Sequence, residues 1–289
     1  MAAAEVFVPN LLVAMLLNGL VQSLQIGAYA ARYAGVKTGR IATAISLFNL
    51  VMTASRLATL IVTPALGGLA DATANDAIRN HLTVAPEHLV DVFALQLRLV
   101  VFAGTIGTTI GLMLMPTFIF LFVRGIGSFE RQGSVLRAVL RLCDIAVLRE
   151  VAGSLRFPDV SIARTFSIAH VPRKLLIANV VVTAVYSIGV LASYYASVLN
   201  LAARTTAVGL SGIINGIGTI AFTLLVDPTS AIITDQAVKG ERTLDEVRSL
   251  IFYLAVTAIV GTLLSQLLLW PGAWLIAQAA HIFVSSHHL

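Results

Sequence analysis

The chain has 289 residues, of which 58% are hydrophobic and 11% are charged, and its mean hydropathy is +0.91. Soluble domains carry about 25% charged residues, so this composition excludes a soluble globular protein and favours a protein embedded in lipid. The hydrophobic runs extend from end to end, which predicts one transmembrane domain over 1–289 with no appended soluble catalytic domain.

Six apolar runs are each long enough to cross a bilayer, which takes about 20 residues of helix. Backbone polar groups in lipid must be paired within their own segment, so each run is predicted to be an α-helix. The predicted fold is therefore an all-α, polytopic membrane helix bundle. Its six transmembrane helices, spans one to six, are predicted at 6–31, 41–69, 92–123, 175–199, 207–226 and 250–270.

The charges between the spans predict the orientation of the bundle. Of the 19 Lys and Arg residues, 15 lie between spans one and two, three and four, or five and six. Loops rich in Lys and Arg remain on the cytoplasmic side, so these three segments are predicted to be cytoplasmic. The N-terminus and the C-terminus are then both predicted to lie outside.

Two more segments are predicted to lie at the membrane surface. The segment 124–174 interleaves arginines with aliphatic residues, which is typical of basic amphipathic helices on anionic lipid. A solvated helix pair that packs against the spans is the alternative interpretation. The apolar stretch 273–284, after Pro271 and Gly272, is too short to cross and is expected at the outer interface.

Polar residues recur along one face of each of the first two spans. Their spacings of three and four residues place each set on a single helical face. Two facing stripes would line a hydrated, substrate-binding groove, and ordinary hydrogen bonds between helices are the alternative. The stripes are Asn18, Gln22, Gln25 and Tyr29 in span one, and Asn49, Thr53 and Arg56 in span two.

Two arginines lie within predicted spans. Arg56 is near the middle of span two, where burying an arginine costs about 3 kcal/mol on insertion scales, so it should face a partner or water. Arg98 is closer to the outer end of span three, where its side chain can instead extend to the surface. If both face one cavity, they form a cationic path for a phosphate group. If they do not, the alternative role of Arg56 is structural, with its side chain bonded to carbonyls and amides that hold the helices of the bundle together.

Small residues in spans three and five predict close helix packing. Gly107 with Gly111, and Gly212 with Gly216, match the small-xxx-small pattern, and packing is their expected role. A polar stripe runs beside the glycines of span five, and its Asn215 is a further candidate for substrate binding. The stripe consists of Ser211, Asn215, Thr219 and Thr223.

All 14 carboxylates lie outside the predicted spans, and Asp227 directly follows the end of span five. Followed by Pro228, it is expected to cap the next helix, and a gating role is the alternative. An acid followed by threonine occurs after span two as well, at Asp71 and Thr73, as it does at Asp227 and Thr229. Because spans one to three and four to six run in opposite senses, this pattern is compatible with an inverted repeat.

Nothing in the sequence indicates bond-making chemistry. There is no phosphate-loop motif, no metal-ligand spacing among the histidines, and no paired-carboxylate or Ser/His constellation in a span. The protein is therefore predicted not to be an enzyme and to use no cofactor, no metal and no nucleic-acid partner.

Four stretches of the chain, taken together, carry a family resemblance. They begin at Tyr29, Ser55, Leu210 and Asp227 and read YAARYAGVKTGRIATAISLFN, SRLATL, LSGIINGIGTI and DPTSAIITDQAVKG. In these stretches the chain resembles the Amj family, bacterial lipid II flippases that replace the unrelated MurJ. The resemblance implies a multi-pass protein of the bacterial cytoplasmic membrane. Its implied substrate is lipid II, undecaprenyl-pyrophosphate carrying the disaccharide-pentapeptide, which moves from the inner to the outer leaflet.

If the implied function holds, we expect alternating access of a polar, cationic groove among membrane lipids. The headgroup would enter near Arg32, Lys37 and Arg40, pair with Arg56 and leave past Arg98. Two alternatives remain at this stage. One is a transporter of another anionic polyprenyl-linked lipid, and the other is a non-transporting scaffold for envelope assembly.

Overall fold

The computed structural model of this protein describes residues 6–132, 153 and 166–285. Within these ranges the side chains at 54, 56, 129–132 and 285 are not described. Most of the segment 124–174, for which amphipathic surface helices were predicted, therefore lies outside the described residues. The described chain contains helices and no strands, which confirms the all-α prediction.

Six helices of the described chain are long and apolar enough to cross a membrane, as the sequence predicts. Span five is a series of helical segments joined end to end, and the other spans are single helices. Spans one to six are Pro9–Thr38, Ile41–Arg79, Glu87–Met113, Arg173–Leu199, Leu201–Val238 and Leu244–Ser285.

Span three is shorter than predicted. It ends at Met113, and after Leu114 a separate helix covers Met115–Gln132, so the prediction of one span through 123 is wrong. The cause is Pro116, which lacks an N–H group and whose ring clashes with the carbonyl of the preceding turn. A proline in the first turn of a helix is tolerated. A proline in the interior removes a backbone hydrogen bond and destabilises the helix.

Span six is longer than predicted and does not stop at Pro271. The helix continues to Ser285, so 273–284 is not a separate interfacial segment. The reason lies in packing, because Ala273, Ile276 and Ala280 are buried in the bundle. A helix of 42 residues extends about 63 Å, well beyond a bilayer core of about 30 Å.

The bundle has two apolar cores, one toward each end. We call the end where span one stops and span two starts the basic end, and the opposite one the far end. The far-end core includes Leu66, Phe93 and Leu269, and the basic-end core includes Ile251 and Leu254. Between the two cores lies a level with many polar residues, and the cavities described below begin there.

The glycines of spans three and five behave differently from each other. A Cβ atom on Gly107 would lie 2.7 Å from the Cα of Gly19 in span one, so these two backbones touch. The packing expected of Gly107 is therefore present. At Gly212 and Gly216 an added Cβ would meet no atom within 4 Å. The packing role expected for these two is wrong within the described bundle, since the span-five face they occupy is open.

Candidate functional site

Two adjoining cavities lie between the spans, one at the basic end and one nearer the middle of the bundle. The mid-span cavity has a volume of about 250 Å³ and is bordered by spans one, two, four and five, with contributions from three and six. The basic-end cavity has a volume of about 370 Å³ and is bordered by spans one, two and five. Phe48, Asn49 and Asp227 line both, so the two cavities meet at these residues.

The mid-span cavity collects polar side chains from five helices, including Thr108 of span three. Gln22, Gln25 and Tyr29 of span one face it, as does Asn49 of span two. The amide of Gln22 donates to the Ser187 hydroxyl of span four at 3.4 Å. Span four also contributes Tyr186 and Thr183, and span five contributes Thr219 and Thr223. Such a lining can accept and donate hydrogen bonds to a sugar or amide headgroup.

The basic-end cavity lies between three spans. Span one forms its back, while spans two and five form its two walls. Within the described chain, spans two and five do not pack along each other, and they are the two least buried spans of the bundle. The described residues therefore leave a gap between spans two and five beside this cavity.

An ion pair between Arg32 of span one and Asp227 of span five lies at the junction of the cavities. Asp227 accepts a hydrogen bond from Nη2 of Arg32, whose side chain is only 15% exposed. The neighbouring Nε of Arg32 is buried and has no hydrogen-bond partner. One donor of Arg32 is therefore left without an acceptor in this state.

Asp227 owes its position to an irregular stretch of span five. The residues Phe222–Val226 form a π-helical turn immediately before the helix Asp227–Val238. Pro228 has no N–H group to donate to the preceding turn, and the widened turn accommodates it. Asp227 makes no side-chain capping hydrogen bond there, so the expected capping role is wrong. Its carboxylate binds Arg32, inside a helix that continues past the predicted end of the span.

Asn179 of span four connects three spans beside the mid-span cavity, and no sequence pattern selects it. It is completely buried. Its amide donates to the carbonyl of Leu254 and to the hydroxyl of Thr257, both at 2.9 Å. Its side-chain oxygen accepts a hydrogen bond from the Tyr29 hydroxyl at 3.4 Å. These bonds connect spans one, four and six.

Replacing Asn179 with leucine should destabilise the protein by about 1–3 kcal/mol, because the Tyr29 hydroxyl loses its acceptor in a buried site. Thermal unfolding of the purified protein in detergent measures the effect. Leucine at Asn80, an exposed residue after span two, is the matched control and should leave the midpoint unchanged. Equal midpoints for both variants would contradict the structural role of Asn179.

Four of the residues predicted for the groove line neither cavity. Asn18 donates to the Val100 carbonyl at 2.9 Å and so joins span one to span three. Thr53 is exposed and donates to the Asn49 carbonyl of its own helix. Arg98 donates to the Gln266 carbonyl at 3.2 Å on an exposed surface. The remaining one is Asn215, which lies against Gly189 of span four.

The arginines and the lysine near the basic end differ in their positions. Lys37 is exposed in the last turn of span one, and Arg40 immediately precedes span two. Neither lines a cavity, whereas Arg32 does. The side chain of Arg56 lies outside the described residues. In the described part of the chain, no group of three His, Cys, Asp or Glu residues is placed to hold a metal ion.

Two further cavity-lining residues could have been predicted from the sequence. Thr219 and Thr223 belong to the polar stripe of span five, and it is these two threonines, not Asn215, that face the mid-span cavity. A stripe with a spacing of four drifts slowly around a helix, so its two ends contact different neighbours. Tyr186 and Asn179 carry no such signal, because isolated polar residues in an apolar run are compatible with any face.

Comparison with known proteins agrees with the resemblance noted from the sequence. A family model described as Amj, alternate to MurJ, matches residues 17–280, which include all the cavity-lining residues. The chain belongs to the Amj family. It is 34% identical over 259 residues to a protein of Bacillus subtilis (strain 168) named "Lipid II flippase Amj". The alignment covers 89% of this chain and 92% of the relative. No solved structure matches the chain.

Family membership and the six apolar helices together identify a multi-pass protein of the cytoplasmic membrane. The family match begins within span one and ends within span six, so it includes residues of all six spans.

Proposed function

We propose that this protein is a lipid II flippase, which moves undecaprenyl-pyrophosphate-linked peptidoglycan precursor from the inner to the outer leaflet. The observation that carries the proposal is the pair of adjoining cavities between the spans, whose largely apolar lining includes the Arg32–Asp227 ion pair and several hydrogen-bonding side chains. Family membership and the name of the Bacillus subtilis relative support the same substrate. The protein binds and moves its substrate and makes no bond.

These cavities suit the two-part chemistry of this lipid. The headgroup of sugars and amino acids requires hydrogen-bonding partners, since burying such groups without partners costs several kcal/mol each. The prenyl chain, by contrast, is apolar and can remain in the bilayer while the headgroup crosses. Polar side chains within a cavity whose walls, spans two and five, do not pack along each other would satisfy both requirements at once.

Within this function, Arg32 is the proposed partner of the pyrophosphate. Its guanidinium lies where the two cavities meet, and its buried Nε can donate to an additional oxygen. Gln22, Gln25, Tyr29 and Asn49 are the proposed hydrogen-bonding residues for the headgroup beyond it. Arg56, midway along span two, remains a proposed second partner.

The direction of transport follows from charge. We propose that the basic end faces the cytoplasm, where Lys37 and Arg40 attract the anionic headgroup before it reaches Arg32. An inside-negative membrane potential then favours outward movement of the pyrophosphate, by about 2.3 kcal/mol for each charge at 100 mV.

The test is flipping of fluorescent lipid II by the purified protein in vesicles, read by quenching of the outer leaflet. Leucine at Asn49 should slow flipping about fivefold, because one hydrogen bond of about 1 kcal/mol to the headgroup is lost. Valine at Thr53, one helical turn away and outside both cavities, is the matched control and should flip at the wild-type rate.

Two outcomes of this assay would reject the proposal. Wild-type vesicles that flip undecaprenyl phosphate but not lipid II would indicate another lipid-linked substrate. Vesicles with correctly folded protein and no flipping of either lipid would indicate a scaffold instead of a transporter.

A further inference from the structure

A second ion pair between charged residues of the spans lies at the far end of the bundle. Arg204, at the start of span five, donates to the carboxylate of Asp71 near the end of span two. Both side chains are accessible, with exposed fractions of 37% for Arg204 and 65% for Asp71. This pair joins directly the two spans that form the walls of the basic-end cavity.

Spans two and five are therefore held together at one end and apart at the other. Near the basic end a cavity of about 370 Å³ separates Ile45 and Phe48 of span two from Pro228 and Ala231 of span five. At the far end the Asp71–Arg204 pair connects the same two spans. In the described state, spans two and five are consequently separated by a cavity near the basic end and in direct contact through this pair near the far end.

The two ion pairs occupy corresponding places in the two halves of the chain. Arg32 is near the end of span one and Arg204 follows span four, while Asp71 and Asp227 occupy the later parts of spans two and five. Each pair joins an arginine of one half to an aspartate of the other half, at opposite ends of the bundle. Such an arrangement is what an inverted repeat produces.

The cavities are also too small for the proposed cargo in the described state. Cavities of about 300–1,000 Å³ hold drug-sized ligands. Two sugars and five amino acids are larger than such a ligand, so the headgroup cannot cross unless the walls move apart. Spans two and five are the elements free to do so, because they share little packing with each other.

We propose that spans two and five form a lateral gate for the isoprenoid chain of the substrate, and that Asp71–Arg204 is the latch that closes it at the far end. The inference rests on the proposed flippase function. The latch opens each time the headgroup leaves and re-forms before the next one enters. Because both side chains are solvated, the pair is weak and screened by salt, as a contact that breaks in every cycle must be.

The first experiment fixes the latch in place. Asp71→Cys and Arg204→Cys are introduced together with Cys143→Ser, and the two thiols are joined with a short, reductively cleavable bifunctional reagent. Cross-linking should slow lipid II flipping at least about tenfold, and reduction should restore it, because the gate can no longer open. The same variant treated with a monofunctional thiol reagent is the control and should keep flipping. Cross-linked protein that flips within about twofold of the control overturns the latch.

A second measurement is independent of flipping. Spin labels at Ile78→Cys and Thr205→Cys, near the latch on spans two and five, report the width of the far end. Asp71→Arg should lengthen that distance by about 5 Å in part of the population, and Asp71→Arg with Arg204→Asp should reverse the change. Unchanged distances overturn the latch. If the distances respond while wild-type protein does not flip lipid II, the latch stands and the proposed substrate fails.

Discussion

Replacing Arg32 with alanine should abolish most lipid II flipping while the protein remains inserted and folded. Arg32 is the one cation that lines either cavity in the described part of the chain. Its loss removes the proposed phosphate partner and leaves the Asp227 carboxylate unpaired beside the path of an anion. A hydrogen bond to a charged group contributes about 1.5–3 kcal/mol, so losing the guanidinium that binds the phosphate should lower the rate at least about tenfold.

The Arg32 prediction has a matched control in Arg98. Both are arginines within helices of the bundle, but Arg98 is on an exposed surface where it donates to the Gln266 carbonyl. Alanine at Arg98 should therefore leave the flipping rate within about twofold of wild type, since an exposed hydrogen bond contributes little. Equal rates for the Arg32 and Arg98 variants in the vesicle assay would reject Arg32 as the phosphate partner.

The double variant Arg32→Ala with Asp227→Ala separates binding from repulsion. It removes the unpaired carboxylate and so should recover the thermal stability lost in the single variant. Its flipping should stay low, because no guanidinium remains to bind the pyrophosphate. Recovery of flipping in the double variant would mean that the ion pair only holds spans one and five together.

Replacing Gly107 with alanine should cause the second large effect, a loss of stability of about 1–3 kcal/mol or more. The added methyl group would overlap the backbone of Gly19 rather than a movable side chain. Spans one and three would have to separate along a contact where Gly111 also lies against Ser23 of span one. The thermal unfolding midpoint and the yield of monodisperse protein in detergent measure the loss.

Alanine at Gly212 or at Gly216 is the control for Gly107. An added Cβ at either position meets open space, and alanine is a better helix former than glycine by about 1 kcal/mol. Both variants should be at least as stable as wild type. If they unfold as early as the Gly107 variant, the open face of span five is occupied in the native membrane protein.

Much of the architecture could be read from one-dimensional patterns. Apolar runs of about 20 residues have few alternatives to membrane helices, because the bilayer offers no partner for an unpaired backbone group. The six spans and the all-α fold were therefore predictable. Helical periodicity likewise placed Gln22, Gln25 and Tyr29 on one face, and in the structure all three line the mid-span cavity.

Helix ends were less predictable, since hydropathy responds to composition and not to packing. Pro116 ends one helix and begins another, whereas Pro271 lies inside a continuous helix whose later turns are buried against the bundle. The same residue type has opposite outcomes, because neighbouring spans stabilise the turns that follow Pro271. No local pattern distinguishes these two prolines.

Pairings between distant residues depend on how the spans pack. The sequence indicates that Asp227 is near the end of an apolar run, but its partner Arg32 is 195 positions away. Likewise, Gly107 and Gly212 belong to the same motif, yet one touches a backbone and the other touches nothing. A helical pattern specifies the face of a residue, while the neighbour of that face is set by the tertiary arrangement of all six spans. For that reason the sequence alone determined that the chain is a membrane helix bundle, whereas its cavities and ion pairs depend on how the spans pack.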